Sequence, residues 1–380
     1  MFGGDKEKLK GEGKIRSVYD PCCGTGGMLT IGKQWIKENI NKNLKIEMYG
    51  QELNDVTYAI CKSDFLMENE NPENIKGPFS SLSEDSYHDR KFDYMITNPP
   101  FGVSWKSEEE FIKQESKDAN GRFTIGHPRT SDGSLLFLQH LVHKMEPSGS
   151  RIGVIFNGSP LCTGDAGSGE SEIRKWIIEN DLLECIIQLP DKMFFNTGIK
   201  TFVWIVTNKK KSDRKGKIQL IDGSNFGTSM RKNLGDKAKY INEEDIKRIQ
   251  ETYYENKENE FCKIFKNSQF GYTKVVVEQP MIQNGEVIKD KKGNIKTDPK
   301  KRDTEHISLN EDINEYFENE VKPNLPNSWL DRSKDKIGYE INFTKYFYKF
   351  KLIRSVEDIS KDIKLLDDEI NQISRQINNE

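Results

Sequence analysis

The sequence predicts an α/β fold: a mostly parallel sheet of seven strands with one antiparallel strand, followed by a mixed and helical C-terminal extension. Three observations carry that reading. Short β-branched or aromatic runs alternate with helix-like segments between residues 17 and 222, the pattern of strands joined by helical crossovers. Glycine or proline clusters stand at the ends of two of these runs. The last two runs of the series are separated by a segment too short to hold a crossover helix, which forces an antiparallel pairing.

In order, Ser17-Val18-Tyr19-Asp20 forms a strand ahead of a helix over 27–39, and 45–51 a second strand ahead of a helix over 55–68. A short third strand falls near 74–77, inside a polar stretch that runs to Arg90, and 92–98 is the next. Ser131 or Asp132 caps a helix over 134–145 that Pro147 and Gly149 close, and a strand over 151–156 follows. The loop GDAGSGES leads to a helix over about 170–180 and a strand over 182–189. Only PDKMFFNTGIK separates that strand from 201–207, so the latter pairs antiparallel and is expected at the sheet edge, unlike the dinucleotide-binding dehydrogenase arrangement.

Beyond 217–222 lysine, glutamate and asparagine dominate, and 287–290 with 295–298 around Lys-Lys-Gly-Asn reads as an exposed hairpin. The expected divisions are a catalytic domain over 1–225, a polar extension over 226–335 and a C-terminal segment over 336–380. In the last, Val356, Ile359, Ile363, Leu366, Ile370, Ile373 and Ile377 alternate in steps of three and four, a heptad seam. Such a seam requires a partner helix, either within the chain or on another subunit.

The chain of 380 residues has room for more than one core. Its 58 Lys and Arg against 61 Asp and Glu leave a formal charge of -3, so no whole-molecule field draws it to nucleic acid or anionic lipid. Any DNA contact must be a local patch or be shared with a partner. Six scattered cysteines without a CxxC pair fit a reduced cytosolic protein. The charged, glycine-broken start is neither a signal peptide nor an anchor, and no apolar run approaches the roughly 20 residues of a membrane span. The expected location is the cytoplasm. His140 and His143 read as a helix face rather than a metal site, with no third ligand visible, and no GxxxxGK[ST] motif is present.

Two motifs carry chemistry. In Asp20-Pro21-Cys22-Cys23-Gly24-Thr25-Gly26-Gly27 a strand ends in a glycine turn that opens a helix, bringing backbone amides and the positive end of a helix dipole to a carboxylate or phosphate. Glu52, at the end of the next strand, stands where an acid accepts hydrogen bonds from ribose hydroxyls. The second motif is Asn98-Pro99-Pro100-Phe101. Its two prolines stiffen the backbone and remove two donors, so the Asn98 side-chain oxygen and the Pro99 carbonyl are offered as acceptors to an amino group. Phe101 is placed to stack on a base extracted from its helix.

DPCCGTGGML, YGQEL and NPPFG, with SDGSLLFLQH, SRIGVIFNGSPL, LPDKMFFNTGIKTFVWIVT, GYEINFTKYFYKF and the terminal heptads, resemble the modification (methyltransferase) subunit of type I restriction-modification systems, an adenine-specific N-6 DNA methylase family. The resemblance implies a Rossmann-like, S-adenosylmethionine-dependent methyltransferase fold. It implies that Gly24, Thr25, Gly26 and Gly27 wrap S-adenosyl-L-methionine, that Asp20 supports its methionine end, that Glu52 holds its ribose, and that Asn98, Pro99, Pro100 and Phe101 form the target-adenine site. Asp64, Ser80 or Ser81 is expected against the cofactor adenine, and Phe194 or Phe195 against the flipped base or in the core.

The implied activity is methyl transfer to the exocyclic amino group of adenine in DNA, with DNA, a specificity subunit and a restriction subunit as partners and the terminal helix as the docking element. The family carries a helical domain and a Thr-Pro-Arg segment ahead of the first strand. Only 19 residues precede Asp20 and they contain neither, so the expectation is a truncated form or an internal start. An amino-methyltransferase acting on RNA or protein glutamine, and a non-catalytic assembly component, remain as alternative readings.

Overall fold

The computed structural model describes residues 2–10, 15–195, 197–283, 285–348 and 355–377. Strands β1 (Ile15–Asp20), β2 (Lys45–Gln51), β3 (Ile75–Lys76), β4 (Tyr94–Thr97) and β5 (Arg151–Asn157) run parallel to one another. Helices α1 (Gly27–Asn39) and α2 (Asp55–Met67) form two of their crossovers. Leu29 and Ile36 of α1 and Cys61 and Phe65 of α2 close over Val18, Ile46, Met48 and Ile96 in a single buried cluster, each large aliphatic contributing roughly 1.5–3 kcal/mol. Asn54 caps α2, its side chain accepting from the amides of Val56 and Thr57.

Between β4 and β5 lie the helices α3 (Glu109–Glu115) and α4 (Ser134–His143), and after β5 come α5 (Gly169–Glu179), then β6 (Leu183–Gln188), β7 (Thr201–Thr207) and β8 (Lys217–Asp222). Asp132 accepts from the Ser134 amide at 3.1 Å, although Gly133 holds the cap position of α4. β7 is antiparallel to both β5 and β6, as the short connection demands. It lies between them rather than at the edge. Six of its seven residues are buried, a pattern that an edge strand with one wet face does not show.

The sheet has nine strands, in the order β11-β8-β6-β7-β5-β4-β1-β2-β3, because β8 and β11 (Cys262–Lys266) continue it beyond the seven expected from sequence. Position 225 is therefore no break in packing. The helix α6 (Glu243–Glu255) that follows it is bound to the sheet through the Arg151 guanidinium, which reaches the Tyr253 hydroxyl at 2.7 Å and Glu184 at 2.6 Å. Gln219 also donates to the Thr252 carbonyl at 2.9 Å.

β9 (Thr228–Leu234) and β10 (Lys237–Tyr240) form a separate antiparallel ribbon. β12 (Gly271–Glu278) pairs antiparallel with β15 (Asp303–Ser308), β16 (Trp329–Leu330) and β17 (Lys336–Tyr339). Between them, β13 (Ile282–Gln283) pairs with β14 (Glu286–Val287). The expected hairpin continues from this pair, with the Lys296 amide on the Ile288 carbonyl at 2.9 Å and a turn in which Gly293 has φ 87°.

The expected boundary near 335 is not a break either. The buried Arg174 of α5 donates to the Tyr339 carbonyl at 2.6 Å, and the division in packing falls between Phe343 and Thr344. In the second unit, helix α7 (Val356–Ile377) forms as the heptads predict. Val356, Ile359, Ile363, Leu366, Ile370 and Ile373 are exposed. The Ile377 side chain and the last two residues of GYEINFTKYFYKF lie outside the described residues.

Candidate active site

Pairing of β1 with both β2 and β4 brings the chemical motifs to one edge. The registers Tyr19↔Met95 and Asp20↔Gly50 put Asp20, Glu52 and Asn98 at or just beyond the carboxyl ends of three adjacent strands, each about 4.8 Å from the next.

The glycine turn has the form its sequence predicts. Gly24 and Gly26 adopt φ values of 55° and 84°, which side chains disfavour. A Cβ on Gly26 would lie 2.9 Å from Cys61 Sγ, so α2 presses against the turn from behind. On the other side, a Cβ on Gly24 or Gly27 would meet nothing within 4 Å. No side chain caps the start of α1, so its first amides face that open cradle, a fit for an anionic ligand group. Glu52 borders it: Oε2 accepts from the Gly24 amide and Oε1 from the Asn54 amide, both at 2.8 Å. One N–H per oxygen fixes the carboxylate and leaves lone pairs for hydroxyl donors. Asp20 is buried, its Oδ1 accepting from the Cys22 amide at 2.9 Å, and burial pushes its carboxyl up to about 7.

Thr97 and Pro99 are buried, Asn98 is exposed and Phe101 is half-buried. Phe194 meets Phe101 edge to face, with centroids 6.4 Å apart at 88°. Phe195 instead is 57% exposed, with Lys237 Nζ 4.7 Å above its ring. Beyond Phe101 the chain is clamped by the Trp105 amide on the Thr130 carbonyl and the Gly133 amide on the Val103 carbonyl, each at 3.0 Å.

Asp64 lies within α2. Ser80 and Ser81 lie in the loop after β3. Ser81 is buried and its hydroxyl donates to the Pro21 carbonyl, tying that loop to the glycine turn, while the Ser80 hydroxyl donates to Glu108. Gln51 Nε2 holds the same loop through the Glu84 carbonyl at 2.7 Å.

Behind it stands Arg122, buried, which donates to the Ser81 carbonyl at 2.7 Å, the Leu82 carbonyl at 2.8 Å and both oxygens of Glu115 at 2.7 Å. A guanidinium only donates, so His140 Nδ1, 2.9 Å from Arg122 Nη1, accepts. His140 Nε2–H then donates to the Tyr19 hydroxyl at 3.1 Å, one residue before Asp20. Burial, reinforced by Arg122, pushes the His140 imidazole well below its usual range and keeps it neutral. Arg122 and Glu108 gave no signal in the sequence. Both sit in a polar stretch without periodicity, and only long-range folding brings them to the site.

Neither Cys22 nor Cys23 is activated as a thiolate. Enclosure, with the Asp20 carboxylate beside it, pushes the Cys22 thiol well up. Cys23 is buried in the α1–α2 core. Among the described residues no group of three His, Cys, Asp or Glu side chains could hold a metal ion. No helix among them is long and apolar enough to cross a membrane.

A glycine turn after the first strand, an acid after the second, and a seventh strand running against its neighbours define the class: a methyltransferase fold of the type that uses S-adenosylmethionine. Within it, residues 9–293 match the model of the N-6 DNA Methylase family, and the chain belongs to that family. The type I restriction enzyme MjaIX methylase subunit of Methanocaldococcus jannaschii is 29% identical over 286 residues, covering 72% of this chain and 47% of that protein. The HindI methylase subunit of Haemophilus influenzae is 28% identical over 237 residues, covering 62% and 50%. The chain thus spans about half the length of these relatives. The crystal structure of the type I restriction-modification system methyltransferase subunit from Streptococcus thermophilus shares the fold, with a TM-score of 0.57 at 22% identity over 70% of this chain and 54% of that one.

Proposed function

We propose that the chain transfers a methyl group from S-adenosylmethionine to the exocyclic amino group of adenine in DNA, as the modification subunit of a type I restriction-modification complex. The observation that carries this reading is the adjacency of the open glycine cradle and the Asn98-Pro99-Pro100-Phe101 turn at the tips of neighbouring strands. The cofactor supplies an activated methyl group on a sulfonium. Gly24, Thr25, Gly26 and Gly27 with the start of α1 would bind its carboxylate, Asp20 its ammonium and Glu52 its ribose. Asn98 and the Pro99 carbonyl accept hydrogen bonds from the amino group, which localises the nitrogen lone pair and aims it outward. The Phe101 ring stacks on the base, with Phe194 bracing Phe101 edge-on. The chain's work is alignment rather than proton removal before attack. Incorporation of tritiated methyl into adenine of duplex DNA, measured against RNA and protein acceptors, tests the reading; label only in RNA or protein refutes it.

An ammonium partner for Asp20 predicts a pH dependence. With its carboxyl at about 7 in the folded chain against an ordinary 3.8, Asp20 is mostly protonated at pH 6 and must lose that proton to bind a cation. Cofactor affinity is expected to rise about tenfold between pH 6 and pH 8, with proton release on binding below pH 7. Calorimetry in buffers of different ionisation enthalpy reads both, and Asp20→Asn should flatten the profile. For stability without ligand the sign is opposite. The folded state holds a proton that the unfolded state has lost, so Asp20 lowers stability as pH rises from about 4 to about 7.

The exposed seam of α7 fits a helix on a specificity subunit. Deleting residues 356–380 is expected to abolish co-purification with a co-expressed specificity subunit and to leave cofactor binding by the remaining chain unchanged. Retained co-purification would assign docking elsewhere.

A further inference from the structure

In a chain with a net charge of -3, the β9–β10 ribbon gathers four cations, Arg231, Lys232, Lys237 and Lys239, against one carboxylate, Asp236. Lys239 is spent on Asp191 as an anchor. Arg231 and Lys232 are exposed, and among the described residues neither is held in an ion pair. Every residue of β9 except Met230 is exposed, so the ribbon contributes little to a core and its sequence is free to serve a contact.

Its position is fixed by the backbone. The Asp236 amide donates to the Phe195 carbonyl at 3.1 Å and the Ala238 amide to the Lys192 carbonyl at 2.9 Å. A Cβ on Gly235, which has φ 62°, would lie 2.7 Å from the Phe195 carbonyl oxygen. The ribbon is therefore built onto the segment whose Phe194 contacts Phe101 of the Asn98 turn. Lys192 and Lys200, both exposed, flank that segment.

We infer that the β9–β10 ribbon, led by Arg231 and Lys232, is a contact surface for the phosphodiester backbone of duplex DNA beside the extracted base. A nucleotide drawn into the Asn98 pocket carries a phosphate on each side, so its neighbours in the strand must run past whatever borders the pocket. An exposed two-stranded ribbon that carries cations suits that backbone and the groove next to it. It also supplies the local patch that the balanced overall charge makes necessary. The inference rests on the DNA reading of the site but is tested apart from it.

The test is binding of a fluorescently labelled 30-base-pair duplex, by anisotropy from about 50 to 200 mM salt, to the whole chain and to Arg231→Ala/Lys232→Ala. The affinity of the variant is expected to fall roughly tenfold at low salt, and the slope of log K against log salt by about 1 for each lost phosphate contact, hence by about 2. S-adenosylmethionine affinity and the melting temperature should not move, since both side chains are exposed. Arg231→Lys/Lys232→Arg should bind like the wild type. Equal affinity and slope in the alanine variant, or no duplex binding by the wild type, overturns the inference. Failure of methyl transfer to DNA by a chain that still binds duplex through Arg231 and Lys232 would refute the catalytic reading and leave the ribbon assignment standing.

Discussion

Replacing Asn98 by alanine is expected to lower the rate of methyl transfer about 100- to 1,000-fold, the loss typical when one preorganised polar group facing a reacting centre is deleted, with cofactor affinity within a few fold of wild type. The asymmetry follows from the geometry. Asn98 is exposed just past β4, whereas the cradle is made from β1, α1 and the Glu52 carboxylate. The lost acceptor matters most as the amine nitrogen acquires positive charge, when the hydrogen bonds it donates strengthen, and losing one such preorganised partner costs about 2.7–4 kcal/mol. The prolines that stiffen the turn remain in the variant, so the defect should appear in kcat rather than in folding. Asn98→Asp keeps an acceptor at the same place and should retain more activity than the alanine variant. Single-turnover rates alongside calorimetry with S-adenosylmethionine separate the two quantities; parallel loss of binding and transfer would mean that Asn98 belongs to the cofactor site instead.

How far the sequence reaches can be seen residue by residue. The Asp20 to Gly27 turn was legible because its determinants are local: positive φ at Gly24 and Gly26, and an open helix start, follow from neighbours within a few positions. The antiparallel direction of β7 followed from a connection too short for a helix. Its interior position did not, because that depends on the long-range choice of partners that inserts β7 between β5 and β6 and leaves the far side of β6 to β8, and a run of buried residues reads alike in any interior strand. The same long-range step hid the continuation of the sheet past residue 225. Of the residues expected against the cofactor adenine, Ser80 and Ser81 share a loop tied to the glycine turn, but what sets that loop's position is Arg122, some forty positions away and invisible to any local pattern.

That makes Arg122 the second place where a single change should have a large effect. Its guanidinium ties five acceptor atoms together: two carbonyls of the Ser80 loop, both oxygens of Glu115, and the His140 ring nitrogen that leads to Tyr19 beside Asp20. Arg122→Met keeps the volume but leaves the Ser81 and Leu82 carbonyls and His140 Nδ1 without their donor, and the Glu115 carboxylate with only the backbone amide of residue 122. Breaking a largely buried pair from one side costs about 3–5 kcal/mol, and some solvent access at Glu115 puts the expected loss near the lower end, a large share of the roughly 5–15 kcal/mol that holds a domain folded. Arg122→Lys keeps the charge but not the planar fork, so it should recover only part. The loss carries a pH signature. Burial works to raise the Glu115 carboxyl, yet Arg122 outweighs it and holds the group below its ordinary 4.5, so the stability Glu115 contributes is present above that value and disappears as the pH falls through its lower, folded value. In Arg122→Met, which keeps only the backbone hydrogen bond to Glu115, that acid-side slope should be much reduced in denaturant titrations between pH 3 and pH 6. Cofactor affinity should fall about tenfold in the folded fraction, since the loop at the glycine turn is released. A variant that loses stability but binds S-adenosylmethionine as tightly as the wild type would confine Arg122 to the core and remove it from the site.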